Sequence, residues 1–197
     1  MAAVAEQLGI SPADYLTGER DAALRHEYVH GQVYAMAGAS DAHVSISGNA
    51  FALLKSHLRG TGCRVYMSDM KVRVKQDTAF FYPDVMVTCD PTDLQRNHYK
   101  HAPTLIIEVL SPSTEAYDRG NKFALYRELD SLQEYVLINP RTYAVDVFRR
   151  NEHGRWELFA FSGETAHVSF ASVDYECTMH DLYEDVNFAL DDKAGGN

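Results

Sequence analysis

The stretch LIIEVLSPST, running from Leu105 to Thr114, decides how the chain is read. Leu105, Ile106, Ile107, Val109 and Leu110 form an apolar run without alternation. That is the pattern of a strand covered on both faces. Glu108 interrupts it. A lone ionised carboxylate is costly to bury, so Glu108 either meets a cation inside the core or belongs to a site. Ser111, Ser113 and Thr114, with Pro112 among them, read as a turn leading into a helix.

Upstream, AFFYPDVMVTC poses the same problem. Asp84 follows Tyr82-Pro83 and precedes Val85, Met86 and Val87, 24 residues before Glu108. That spacing leaves room for one strand, one loop and the next strand. If the two strands are neighbours, both carboxylates face one point. Two carboxylates with waters and a backbone carbonyl make a hard-oxygen site suited to Mg²⁺ or Mn²⁺. Such an ion can bind a phosphate oxygen and polarise phosphorus. Taken singly, Glu108 reads equally as an arginine partner in the core, and Asp84 as a turn cap.

The helix predicted after the Glu108 strand, DRGNKFALYRELD, carries Lys122, an amine able to orient a water or stabilise charge at phosphorus. Asp118 stands four residues before it, so a surface ion pair is the competing reading. Glu27, in RHEYVHG, can close the site from an N-terminal hairpin. His43, at the start of a long helix, and Asp69, before a strand with alternating cations, are second candidates. His98 and His101, in the polar segment HYKH, read as solvated. GxSxG, Walker A and GxGxxG patterns are absent, which removes support for those hydrolase and nucleotide-binding routes.

The remaining elements follow from pattern. SPADYLTGE reads as a helix with Ser11 as N-cap and Pro12 in its first turn. HEYVHGQVYAMAG reads as a hairpin turning at His30-Gly31, where glycine takes a positive φ. A helix is expected from Asp41 to Arg59, stopped by Gly60 and Gly62. CRVYMS and MKVRVKQ are expected to form one pair or one bent strand, with Met70, Val72 and Val74 buried and Lys71, Arg73 and Lys75 on a cationic face. EYVLINP, AVDVFRR and RWELFAFS complete a sheet, and TMHDLYEDV closes with a short helix. The fold class is α+β or mixed α/β: one domain over residues 1–190, with a central mixed sheet flanked by helices and a frayed tail at 191–197.

Bulk properties narrow the function. The 197 residues carry a formal net charge of −10, which argues against a generic nucleic-acid coat protein. Between Lys55 and Lys100, however, eight basic residues face five acids. No apolar run reaches membrane-span length, and MAAVAEQLGISP lacks the layout of a secretion signal. Cys63, Cys89 and Cys177 lie far apart without CxxC. They are expected to be three buried thiols in a reducing cytoplasm.

YPDVMVTCD, LIIEVLSPST, YDRGNKFALYRELDSLQEYVLINP and HEYVHGQVYAMAGASDAHVSI together resemble the Uma-two family, from about Ser11 to Arg150. The resemblance implies a restriction-endonuclease-like fold of the PD-(D/E)XK nuclease superfamily, a metal-binding acid pair and a lysine. Pro83-Asp84 matches the PD element, Glu108 the (D/E), and Glu27 the family's N-terminal glutamate. Val109 is the X, its carbonyl a third metal oxygen. The K position holds Leu110, a departure that leaves two expectations. Either Lys122 supplies the amine from the following helix, giving a Mg²⁺- or Mn²⁺-dependent DNA endonuclease, or the chain is a weakened nuclease fold serving as a nucleic-acid-binding or assembly module. A homodimer is compatible with cutting two strands.

Overall fold

A computed structural model describes residues 9–188. The expected frayed tail at 191–197 lies outside the described residues.

In chain order, α1 (Pro12–Gly18) is followed by the hairpin β1 (His26–Val29) and β2 (Gln32–Ala35), then α2 (Asp41–His57), β3 (Arg64–Met67), β4 (Lys71–Arg73), β5 (Ala79–Phe81) and β6 (Val85–Thr88). Next come β7 (Tyr99–Lys100), β8 (Pro103–Val109), α3 (Glu115–Tyr117), a π turn (Asp118–Lys122) and α4 (Phe123–Tyr126). The strands β9 (Glu134–Ile138), β10 (Ala144–Arg150), β11 (Trp156–Ser162), β12 (His167–Phe170) and β13 (Tyr175–Thr178) lead to α5 (Met179–Leu182).

Local chemistry sets the boundaries. The Ser11 side chain accepts from the Asp14 N–H and Ser40 from the His43 N–H, each satisfying an orphan donor of a helix start. His30 (φ 46°) and Gly31 (φ 86°) both take the left-handed region that a two-residue hairpin turn requires.

Strands divide between two larger sheets, ordered β2-β1-β5-β4-β7 and β11-β10-β9-β8-β6-β3. In the second, β8 is central, antiparallel to β6 and parallel to β9, and the α3–α4 crossover joins the parallel pair. Leu105, Ile107 and Val109 of β8 pack on one face with Ile46, Ala50 and Leu54 of α2. Ile106 and the following Leu110 pack on the other with Phe123, Tyr126 and Leu129. Glu108 therefore occupies a core position on the crossover-helix side, and it is 4% exposed.

Two strand expectations change. CRVYMS and MKVRVKQ neither pair nor form one strand: β3 edges the six-stranded sheet and β4 lies in the other. AFFYPDVMVTC likewise breaks at Tyr82-Pro83-Asp84, with β5 and β6 in different sheets. Proline, lacking an N–H, ends the first ladder there. The cationic face of β4 also fails as a face. Lys71 is buried, donating to the Tyr82 hydroxyl at 3.1 Å, while Arg73 pairs with Asp77 and Lys75 with Asp130. The hairpin β12–β13 was not expected at all.

The cysteines are not three buried thiols. Arg64 pairs with Thr88 in the β3–β6 register, so the residues just beyond, Cys63 and Cys89, face each other and form a disulfide. Cys177 alone is free and buried, and burial pushes its thiol up to about 12. This pairing removes the cysteine-based ground for a reducing cytoplasm. The bridge closes a loop of 26 residues. Replacing both partners by serine is expected to lower stability by about 2–4 kcal/mol in urea denaturation. An unchanged midpoint would show that the bridge does not form in solution. Among the described residues no helix is long and apolar enough to cross a membrane.

Candidate active site

The β6–β8 register pairs Val85 with Ile107, so Asp84 and Glu108 lie at the next opposed position, where the two strands end. Asp84 accepts the Val109 backbone N–H at 2.7 Å through Oδ2, and its Oδ1 meets His43 Nε2 at 2.9 Å. Its side chain keeps 20% of its surface exposed, whereas Glu108 is closed off. One acid thus stands at the rim and the other at the floor.

Lys122 reaches that floor from the crossover helix. Its ammonium lies 2.9 Å from Glu108 Oε1, 3.0 Å from Glu27 Oε1 and 3.7 Å from Asp118 Oδ1. The π turn holds both Asp118 and Lys122, each buried. Such turns widen a helix by one residue and re-aim its side chains. The Tyr135 hydroxyl, from β9, donates to the Asp118 carbonyl inside this turn at 3.0 Å. Leu110, at the position where the motif carries lysine, is 2% exposed and packed in the core. Glu27 arrives from β1 and also accepts weakly from the Tyr82 N–H at 3.4 Å.

Charge is unbalanced here. Glu27, Glu108 and Asp118 surround one lysine, and Asp84 adds a fourth carboxylate at the rim. Burial pushes the Glu108 carboxyl well above its ordinary range; Lys122 opposes the shift, and Asp84, Asp118 and Glu27 add to it. Asp118 is raised for the same first reason. For Lys122, burial acts to lower the value, but Glu108, Glu27 and Asp118 outweigh it and hold the ammonium well above the usual lysine range. Tyr126, raised by burial and then by Glu108, stays a phenol and donates to Glu108 Oε1 at 2.9 Å.

The cluster therefore gathers Glu27, Asp84, Glu108, Lys122, His43 and the Val109 N–H. It does not include Asp69, whose side chain is 75% exposed and pairs with Arg25 at 3.2 Å. The reading of Asp118–Lys122 as a surface pair is overturned by their burial. Asp118 joins the cluster, as does Tyr126, which its spacing marks only as core. A different correction applies in HYKH. His101 is not free in solvent: its Nδ1 lies 2.6 Å from Oδ1 of Asp93, which is fully buried and also accepts from Thr88 and the Ala102 N–H. A cleft of about 310 Å³ lined by Arg73, Lys75, His101, Glu128 and Asp130 contains none of the clustered acids.

A divalent metal fits this donor chemistry in kind: hard carboxylate oxygens, in excess of the available positive charge. Among the described residues, however, no three or more His, Cys, Asp or Glu side chains converge as a ready cage. Lys122 is the cation seated among the acids.

The Uma2 family model, described as "Putative restriction endonuclease", matches residues 12–179. Two uncharacterized proteins of Synechocystis sp. are similar to the chain. One, slr1290, is 42% identical over 152 residues, covering 77% of this chain and 80% of the relative. The other, sll1609, is 32% identical over 173 residues, covering 87% and 98%. The crystal structure of a "putative nuclease" from Anabaena variabilis superposes with a TM-score of 0.73 at 18% identity, over 88% of this chain and 97% of that one. The residues that the family model matches include Asp84, Glu108 and Lys122, and by model match and relatives alike the chain belongs to the Uma2 family, with a restriction-endonuclease-like fold.

Proposed function

We propose that the chain is a divalent-metal-dependent endonuclease hydrolysing phosphodiester bonds in DNA. The observation that carries this is the contact of Lys122 with Glu108: an amine delivered from the crossover helix to the acid of a motif whose own lysine position is apolar. Leu110 favours the reading as a weakened nuclease fold. The relocated amine answers that departure.

Asp84 and Glu108, with the Val109 carbonyl, would hold Mg²⁺ or Mn²⁺. The ion supplies Lewis acidity at phosphorus when bound. The chain's own residues do the rest. The Val109 N–H and His43 fix the Asp84 carboxylate, leaving its solvent side for ligation. The Tyr126 hydroxyl fixes Glu108 Oε1. Lys122 has three ammonium protons; Glu108 and Glu27 take two, and the third, with only the longer 3.7 Å contact to Asp118 Oδ1, can turn to a water or to a phosphate oxygen. Glu27 lies at the edge, where it can accept a proton from attacking water. Water adds to phosphorus and one P–O ester bond breaks, leaving a phosphate monoester end and a hydroxyl end.

The test is incubation of the purified chain with supercoiled plasmid and with single-stranded DNA in Mg²⁺, Mn²⁺ or EDTA. Metal-dependent cleavage that EDTA stops is expected. Metal binding without cleavage of either substrate would overturn the nuclease reading in favour of a binding module.

A further inference from the structure

We propose that the Tyr34–Met36 edge beside the acid–lysine cluster is a stacking platform for an unpaired base, so that the substrate class of the site is single-stranded nucleic acid. The inference rests on the nuclease reading and extends it to the form of the substrate.

β2 is the outer strand of its sheet, and all four of its residues are exposed. Tyr34 is the register partner of Glu27 on β1. Directly opposed residues of an antiparallel pair project from the same face, with Cβ atoms about 4.5–5.5 Å apart. Glu27 on that face meets Lys122 at 3.0 Å. The Tyr34 ring therefore stands on the site's own face, next to one of its acids, with 55% of the residue exposed. Met36, two positions on and 38% exposed, continues the same face. Among the described residues no hydrogen bond or ring contact ties the Tyr34 side chain down. Tyr117, just before Asp118 on the crossover helix, is half-buried; burial first, and Glu27 next, raises its phenol.

Charge selects the ligand. Duplex binding draws most of its affinity from neutralising phosphates. This chain has a net charge of −10, and Arg25 and Arg119 are engaged, the first with Asp69 and the second with Glu115 and Asp146. Stacking on an exposed aromatic ring is a source of affinity that needs no sequence readout, and an unpaired strand offers its base faces to it.

The experiment measures fluorescence anisotropy of a labelled oligo(dT) strand and of a duplex of equal length, in EDTA, with wild type, Tyr34→Ala and Tyr34→Trp. Cleavage of the same probes in Mn²⁺ is followed in parallel. Tyr34→Ala is expected to weaken single-strand binding roughly 10- to 100-fold, Tyr34→Trp to retain it, and the duplex to bind more weakly throughout. Unchanged single-strand affinity in Tyr34→Ala overturns the platform, as does wild-type preference for the duplex. So does conversion of a dimer to monomer at unchanged affinity, which would assign the edge to a second copy. Cleavage that is indifferent to Tyr34 rejects the platform and spares the nuclease reading. Tyr34-dependent binding without any cleavage supports the platform and rejects the nuclease.

Discussion

Replacing Lys122 by methionine is expected to destabilise the folded chain by about 3–5 kcal/mol at neutral pH. The side chain is 6% exposed, and its ammonium is the cation nearest to Glu108, Glu27 and Asp118. Methionine fills much of the volume but leaves those carboxylates facing one another. The pH dependence has a definite sign. Glu108 and Asp118 already sit above their ordinary values in the folded state, and without the lysine both rise further. An acid with a raised folded value holds its proton more tightly folded than unfolded. Its stabilising contribution is complete below about 4.3 and is lost as pH climbs through the raised value. The variant should therefore lose stability from mildly acid to alkaline pH, and the gap to wild type should close on acidification. Urea denaturation at several pH values measures this. A loss below about 1 kcal/mol, independent of pH, would mean that the ammonium is solvated and the buried cluster is wrong.

Asp84→Asn should separate chemistry from folding. The asparagine carbonyl can still accept the Val109 N–H that Asp84 accepts at 2.7 Å, so the strand end keeps its contact and the melting temperature should hold within a few degrees. What disappears is a negative charge at the rim. Loss of a carboxylate from the proposed metal site is expected to remove several kcal/mol of transition-state stabilisation. That corresponds to a fall in cleavage rate of about 10³-fold. Initial rates of plasmid nicking at saturating Mn²⁺ measure it. A rate within a few-fold of wild type would take Asp84 out of the machinery.

The polar residues of the cluster were legible because they violate strand patterning. Glu108 stands in an apolar run and Asp84 sits between Pro83 and three apolar residues, and the spacing allowed neighbouring strands. Lys122 was legible as an amine on the next helix, but its destination was not. An i,i+4 spacing with Asp118 fits a solvated pair as well as a buried one, and the π turn that aims both inward leaves no spacing signal. Tyr126 shows the same limit, since its ring satisfies the core pattern and its hydroxyl adds nothing to periodicity. The sheet division was hidden for a related reason. Alternation at Met70, Val72 and Val74 gives faces, not partners, so it could not separate β3 from β4. Nor could it foresee Lys71 buried against the Tyr82 hydroxyl. The Cys63–Cys89 bridge depends on the β3–β6 register, which local sequence does not encode.

Anomalous diffraction from crystals soaked in Mn²⁺ tests the shared-ion site most directly. One peak is expected at ligand distance, about 2.0–2.3 Å, from carboxylate oxygens of both Asp84 and Glu108, and it should vanish in Asp84→Asn. A peak that touches neither acid, or no peak at saturating Mn²⁺, would contradict the metal-dependent site.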